Sequence, residues 1–436
     1  MKLASALRGA VAAALLCSAP ARADRLVVRP YLQLPSSSGV TVMWETERDA
    51  HEYLELTSDG QPGATGRFVK GPRRSAPLYG LPPGRHHYRI FDGDSNAAPL
   101  LAEGSFSTGA SADFDFLVYG DNRDRDDDHA KVVKAMAAYP ADLLLNTGDL
   151  VGDAGEDRLW RRFFEIEAPL LGQAPLYAAI GNHELVRDPN AVHFRRYFAM
   201  PREAEPAAAP RWYAFDFGNS HFIALDANRP HDVAQHEFLE RQLILADRAV
   251  RPRHIFVFYH QPAFAAGDEC GSAAQQGLWV PEFAQHHVRA VFTGHDHAYE
   301  RLERNGVRYF VTGGGGAPLH EQSARCADYD RRALRRFEAV HHFLRVRVRG
   351  DAATLDAIAA SGEIIETVNL SSPSPSEGER PPAVPFVDPP AHSPPGAAAA
   401  GTPGAPTTPR WPVPLAVSLL VAAALLLRSG WRRRHE

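Results

Sequence analysis

Five short blocks, in a fixed order, constrain this chain more than anything else in it. They are Gly120-Asp121, Gly148-Asp149, Gly181-Asn182-His183, Val257-Phe258-Tyr259-His260 and Gly294-His295-Asp296-His297. Each closes an apolar run, at Phe114–Tyr119, Leu143–Asn146, Leu176–Ile180, Ile255–Tyr259 and Ala290–Phe292. Short apolar runs bounded by turn residues read as buried strands. Helical patterns fall between them, at Ala130–Ala138, around Glu156–Ile166 and around Phe238, Leu239 and Leu243. Strands alternating with helices predict an α/β core. In such sheets ligands bind beyond the carboxyl ends of the strands, where the polar residues of all five blocks fall. The glycines are expected to let the backbone turn sharply, so that each side chain points over the sheet edge.

Singly, these residues say little: an Asp or Asn after a strand is ordinarily a turn residue or a helix cap. Jointly, they supply carboxylate, amide and imidazole donors with no Cys among them. That donor set suits a dinuclear centre of iron, zinc or manganese rather than a structural zinc site. Two ions about 3.5–4 Å apart can clamp the attacking and leaving oxygens of an in-line displacement. A water bridging them becomes hydroxide near neutral pH. Phosphate esters are the natural substrate, because their charge must be neutralised before hydroxide can approach.

Composition is consistent with an enzyme and excludes other classes. The 436 residues are 44% hydrophobic and 23% charged, which is ordinary globular usage and enough for two or three domains. Lys and Arg number 47 against 52 Asp and Glu, so no stable nucleic-acid partner is expected from bulk electrostatics. Ahead of the five blocks the texture is all-β. Val40–Trp44 alternates as a half-buried strand, and Tyr53–Leu56, His87–Ile90 and Gly104–Thr108 follow between turn residues such as Leu81-Pro82-Pro83-Gly84. Several strands in this span suggest a small sandwich, with no chemistry visible in it.

The ordered blocks, with Gly294-His295-Asp296-His297-Ala298-Tyr299-Glu300-Arg301, resemble the calcineurin-like metallophosphoesterases, in particular the purple-acid-phosphatase-like ones. Met43-Trp44-Glu45-Thr46, Leu81-Pro82-Pro83-Gly84 and Phe106-Ser107-Thr108 resemble the fibronectin type III-like module of that family. The resemblance implies a metallophosphoesterase β-sandwich flanked by helices, preceded by the small all-β sandwich. It implies that Asp149 bridges two ions, that Asp121 and His297 hold the first, and that Asn182, His260 and His295 hold the second. His183 would stand by the phosphate, as proton donor to the leaving group or as oxyanion stabiliser. The purple enzymes carry a Tyr three residues after the bridging Asp, and many relatives carry a His two residues after the first Asp. Here those positions are Gly152 and Arg123, so the first ion lacks a fourth protein ligand at either place. Asn122 or water would complete it, or the ion is weakly held. Arg123 is read as a phosphate-binding fork, with a surface arginine in the charged run to Asp128 as the alternative. His129 and the pair His341-His342 are read as solvated, and Gly313–Gly316 as a tight loop near the site.

The two ends and the cysteines bear on location. Lys2 and Arg8, the apolar stretch Ala10–Leu16 and Ala21-Arg22-Ala23 form the pattern of a signal peptide over residues 1–23. The sandwich is placed at 24–110 and the catalytic domain at 111–370. A linker rich in Pro, Ala and Gly covers 371–411. An apolar run at 412–428 is just long enough for a transmembrane anchor and also resembles a bacterial sorting signal. A basic cytoplasmic tail covers 429–436. Export to the periplasm or cell surface follows, with membrane contact through the C-terminal helix. Cys270 and Cys326 remain after cleavage. They are expected either to pair in an oxidising compartment or to be two free buried thiols.

The first-choice function is thus a dimetal phosphomonoesterase. A phosphodiesterase or nucleotidase on the same site is the alternative, as is a catalytically weak surface binding module. Since the colour of the purple enzymes comes from the Tyr replaced here by Gly152, the metal-loaded protein should be colourless. A charge-transfer band in its visible spectrum would contradict this.

Overall fold

Aromatic side chains alternating along buried strands hold the larger part of the molecule together. The computed structural model describes residues 25–371, apart from 49–50, 62, 70–72, 110, 200, 202–210 and 249–253. The leader, nearly all of the linker, and the segments at 412–428 and 429–436 lie outside the described residues. Among the described residues no helix is long and apolar enough to cross a membrane.

Two sheets face each other in the α/β part. The first has six strands, in the spatial order Leu176–Ala178, Leu143–Asn146, Asp113–Tyr119, His342–Arg349, Ala352–Ala359 and Ile364–Asn369. Its first three are parallel, and the rest are antiparallel to their neighbours. The second has seven, in the order Tyr213–Phe217, Ser220–Ala224, His254–Phe258, Ala290–Thr293, Val307–Thr312, Tyr299–Arg304 and Leu334–Glu338. Its central four strands are parallel. Strands of a parallel sheet are covered on both faces, and every residue of Leu143–Asn146, His254–Phe258 and Ala290–Thr293 is buried.

Phe116 of the first sheet meets Phe222, Phe256 and Phe292 of the second edge-on, with ring centroids 5.3, 5.2 and 6.1 Å apart. Edge-to-face rings at such distances add about 0.5–1.5 kcal/mol per pair beyond area burial. The helix Asp157–Leu171 buries Trp160, Phe163 and Phe164, and Val233–Asp247 buries Phe238, Leu239 and Leu243. The fold is a β-sandwich flanked by helices, as expected. Helix bounds differ by a few residues: Asp126–Met136 starts earlier than Ala130 because three acidic residues occupy its first turn, where they favour the positive end of the helix dipole.

The N-terminal module is all-β, with a three-stranded sheet (Leu26–Ser36, Gly39–Thr46, Arg73–Leu78) and a four-stranded one (Thr65–Val69, Glu52–Ser58, Gly84–Phe91, Leu100–Thr108). Between them lie Leu32, Val42, Trp44, Leu54, Ile90 and Phe106. Glu52 is fully buried and accepts from Trp44 Nε1 at 2.9 Å and Arg74 Nη2 at 2.6 Å. The strand expected to be half-buried is buried throughout, because its other face also has a partner. Met43 joins Val28 and Tyr31 in the core of the α/β part. Tyr31 donates to the Tyr197 carbonyl at 2.7 Å, and Gln33 Nε2 to the Leu176 carbonyl at 2.8 Å.

Two histidine readings are corrected. His129 is buried rather than solvated. Its Nε2 donates to Glu167 at 2.7 Å, and the same carboxylate accepts from Tyr119 at 2.9 Å. His342 is also buried, with Nδ1 donating to the Val340 carbonyl at 2.9 Å and the ring edge-on to Tyr299. His341 is half-buried. Burial pushes His342 down to about 4, against an ordinary value of about 6.5. The unfolded chain therefore binds the proton first, and stability present above pH 6.5 is lost as the pH falls toward 4. Over that window His342→Gln should lose on the order of 2–3 kcal/mol less than the parent, measured by denaturant unfolding at pH 7 and pH 4.5. Parallel losses in the two proteins would contradict this.

Candidate metal centre

The three parallel strands of the first sheet end at Tyr119, Asn146 and Ala178, and Asp121, Asp149 and Asn182-His183 lie just beyond. The central strands of the second sheet end at Phe258 and Thr293, with His260, His295 and His297 just beyond. The predicted ligands therefore divide by chemistry. One sheet presents oxygens and the other imidazoles, and they meet at the seam.

The backbone carries strain here. Asp121, Asp149 and His295 have φ of 59°, 56° and 70°, the left-handed region that costs non-glycine residues roughly 1–2 kcal/mol each. The glycines were expected to make these turns. Gly148 does have a positive φ, of 107°, but Gly181 and Gly294 serve a different purpose. A Cβ on Gly181 would stand 2.2 Å from Asp149 Oδ1, and one on Gly294 would stand 2.2 Å from Asp121 Oδ2. These positions are glycine so that the carboxylates have room. The ligand residues make the turns themselves.

Asp121, Asp149 and His260 bring one donor atom each to within 4.8 Å of one another, all three buried. His260 Nε2 lies 3.2 Å from Asp149 Oδ1, and His297 Nε2 lies 3.5 Å from Asp121 Oδ1. His295 donates its backbone N–H to Asp121 Oδ2 at 3.0 Å, and its ring is 5.1 Å from that of His260. Asp121 Oδ1, Asn182 Oδ1 and His260 Nε2 are buried without a hydrogen-bond partner. A buried orphan costs about 1–3 kcal/mol, and an unpartnered carboxylate oxygen of Asp121 4.0 Å from the imidazole nitrogen of His260 fits a cation between them. Ring orientation agrees. His260 donates Nδ1–H to the Thr147 carbonyl at 3.0 Å, and His297 to Pro318 at 2.7 Å. Both rings therefore keep Nε2 as the free donor atom.

The electrostatics point the same way. Burial opposes ionisation of Asp149, but His260 and His183 outweigh it and hold the carboxyl well below the usual range. Burial likewise opposes a charge on His260, yet Asp149 and Asp121 raise it to about 9. Burial and neighbouring His260 push His295 down to about 4. Two buried carboxylates thus draw positive charge to this spot.

The other predicted residues lie close by. His183 donates its backbone N–H to Asp149 Oδ1 at 2.9 Å and Nδ1–H to the Gly152 carbonyl at 2.7 Å. Its Nε2 faces Asp149 Oδ2 at 3.8 Å with the side chain 24% exposed. Arg123 is no surface arginine: its Nε stands 3.2 Å from Asp149 Oδ2 and its Nη2 3.3 Å from His297 Nε2. Asn122, one candidate to complete the first position, is committed elsewhere. It accepts from Asn146 at 2.7 Å and donates to Gly315 at 3.3 Å. The loop Gly313–Gly316 does pack on the site, with Gly315 N–H donating to the Gly120 carbonyl at 2.8 Å.

Residues 114–299 match the family model for calcineurin-like phosphoesterases. Over that stretch the chain is similar to the calcineurin-like phosphoesterases. Purple acid phosphatase 23 of Arabidopsis thaliana is 31% identical over 176 residues, 36% of this chain and 37% of that protein. The chain thus spans about a third of the length of the curated relatives it matches. Among solved structures, purple acid phosphatase PPD1 from yellow lupin seeds superposes with a TM-score of 0.67 at 18% identity, covering 79% of this chain and 74% of that one. PhoD does so at 0.60 and 12% identity, covering 83% and 95%. At these identities the likeness is one of fold.

Two supporting residues of the α/β part escaped the sequence reading. Glu184 is fully buried. Its oxygens accept backbone N–H groups from Gly181 and Asp149 at 2.8 Å each and from Leu150 at 3.0 Å. Its signal was its place directly after His183. His320 stacks on His297 with centroids 4.1 Å apart, and its Nδ1 lies 2.8 Å from Asp296 Oδ1. No local pattern marked it. Cys270 and Cys326 form a disulfide across 56 residues, joining the loop that bears Glu269, 3.7 Å from His295, to the segment after Pro318 and His320. A loop of that length is worth about 4 kcal/mol on chain entropy. Cys270→Ala should lower the melting temperature by several degrees and weaken metal retention after dialysis. Unchanged retention would separate the disulfide from the site.

Proposed function

We propose that this chain hydrolyses phosphate monoesters in a metal-dependent reaction, with Asp121, Asp149, Asn182, His260, His295 and His297 as the metal ligands. The observation that carries the reading is the convergence of buried, unpartnered oxygen and imidazole donors from the two sheets. Two ions of iron, zinc or manganese suit the donor set. When bound they would neutralise phosphate charge and acidify a water.

The protein's own groups account for the remaining steps. Asp149 would help hold both ions, and its buried place between the two sheets is set by the strand ends around it. Arg123 can place two N–H donors on a phosphate oxygen. Water adds to phosphorus in line with the ester bond, that bond breaks, the leaving oxygen takes a proton from His183 Nε2, and a proton released by the attacking water restores that nitrogen while the other stays with phosphate. The Gly152 carbonyl holds the His183 ring with Nδ1 as donor, leaving Nε2 as the nitrogen that exchanges the proton. The products are phosphate and the alcohol. The relatives are named phosphatases, which supports the monoester over the diester. The disulfide Cys270–Cys326 supports the proposed export, with the segment at 412–428 as anchor or sorting signal.

Hydrolysis of an aryl phosphate and an aryl phosphodiester tests the reading. The monoester should be the better substrate. Asp149→Asn should abolish turnover, and His183→Asn should lower kcat by about 10²–10⁴-fold with little change in KM. A preference for the diester would favour a phosphodiesterase or nucleotidase, and Asp149→Asn turning over like the parent would place the chemistry elsewhere. Absence of bound transition metal would favour a binding module.

A further inference from the structure

The two halves of the proposed centre are unequal. The second position has four proposed ligands, Asp149, Asn182, His260 and His295, of which Asn182 Oδ1 and His260 Nε2 are buried without a hydrogen-bond partner. The first has three, Asp121, Asp149 and His297, and a cation already stands against two of them. The Arg123 guanidinium places Nε 3.2 Å from Asp149 Oδ2 and Nη2 3.3 Å from His297 Nε2. Because His297 donates Nδ1–H to the Pro318 carbonyl, its Nε2 is the acceptor for the arginine. That lone pair is the one an ion would take.

The guanidinium is fixed in place. Its Nη1 binds the Asp124 carboxylate, and its side chain is only 18% exposed. Asp124 in turn fills the space beside residue 152, where a Cβ would stand 2.6 Å from its Oδ1. The two missing ligand positions, 123 and 152, are thus covered by one arginine–aspartate pair. Arginine cannot lose its charge in a protein, so the positive charge in this half is permanent.

Resting on the metal-dependent reading, we propose that Arg123 is a resident cation of the first position: the chain holds one ion tightly on Asp149, Asn182, His260 and His295, and admits a second only by displacing the guanidinium from His297 and Asp149. Arg123 then supplies by hydrogen bonding part of what the first ion supplies by charge. A second ion and the arginine's grip on a phosphate oxygen become competing uses of one space.

Metal stoichiometry tests this independently of turnover. The full chain is dialysed exhaustively, assayed for bound metal by elemental analysis, and titrated with Zn²⁺ alone. The parent should retain about one equivalent and bind a second at least about tenfold more weakly. Arg123→Lys, which keeps a cation, should behave like the parent. Arg123→His should retain two equivalents, and Arg123→Ala should tighten the second about tenfold. Two equally tight equivalents in the parent, or no change in Arg123→His and Arg123→Ala, overturn the proposal while leaving the metal-dependent reading intact. Retention of no metal by any variant overturns both.

Discussion

A single buried carboxylate organises the site. Glu184 accepts backbone N–H groups from the Asp149–Leu150 turn and from Gly181, and so clamps two neighbouring strand ends to each other. Burial and the adjacent Asp149 push its carboxyl up, to about 8, while these backbone donors pull against the shift. The left-handed turn at Asp149 is unfavourable by itself, and such strain persists only where the surroundings over-determine it. Glu184 provides that constraint, and the placement of Asp149, Asn182 and His183 depends on it.

The second sheet is tied to this frame by bonds from the ligand loops and by others farther along the strands, such as Tyr213 to the Ala178 carbonyl and Tyr299 to Glu366. His295 N–H reaches Asp121, His260 Nδ1 reaches the Thr147 carbonyl, and Ala317 N–H reaches the Asp121 carbonyl. Behind them the interlocked rings of Phe116, Phe222, Phe256 and Phe292 set the distance between sheets. Close-packed interiors tolerate little change in volume, so ligand spacing is inherited from the aromatic core.

What was legible in the sequence was whatever is written locally. The strand ends and the order of the blocks are short-range features, and the structure puts Asp121, Asp149, Asn182, His260, His295 and His297 just beyond strand ends. The role of the glycines was misread, since clearance for a carboxylate from another loop is a long-range demand that resembles turn chemistry in one dimension. His129 and His342 were misread for the same reason. Each sits beside charged or polar neighbours in sequence, yet each is buried by partners far along the chain, Glu167 and Tyr299. Full burial of Gly39–Thr46 likewise depends on a second partner that alternation cannot announce. Arg123 was flagged by what it replaces, but its grip on His297 required the fold.

The division of donors between sheets has a consequence for biogenesis. Neither sheet alone presents a complete ion position: one brings only oxygens and the other only imidazoles. On the proposed ligand set, a metal-binding state would not form until the two halves of the sandwich have docked. Loading would then be a checkpoint on assembly, and a chain that folds before it meets metal would acquire any ions only as a finished molecule.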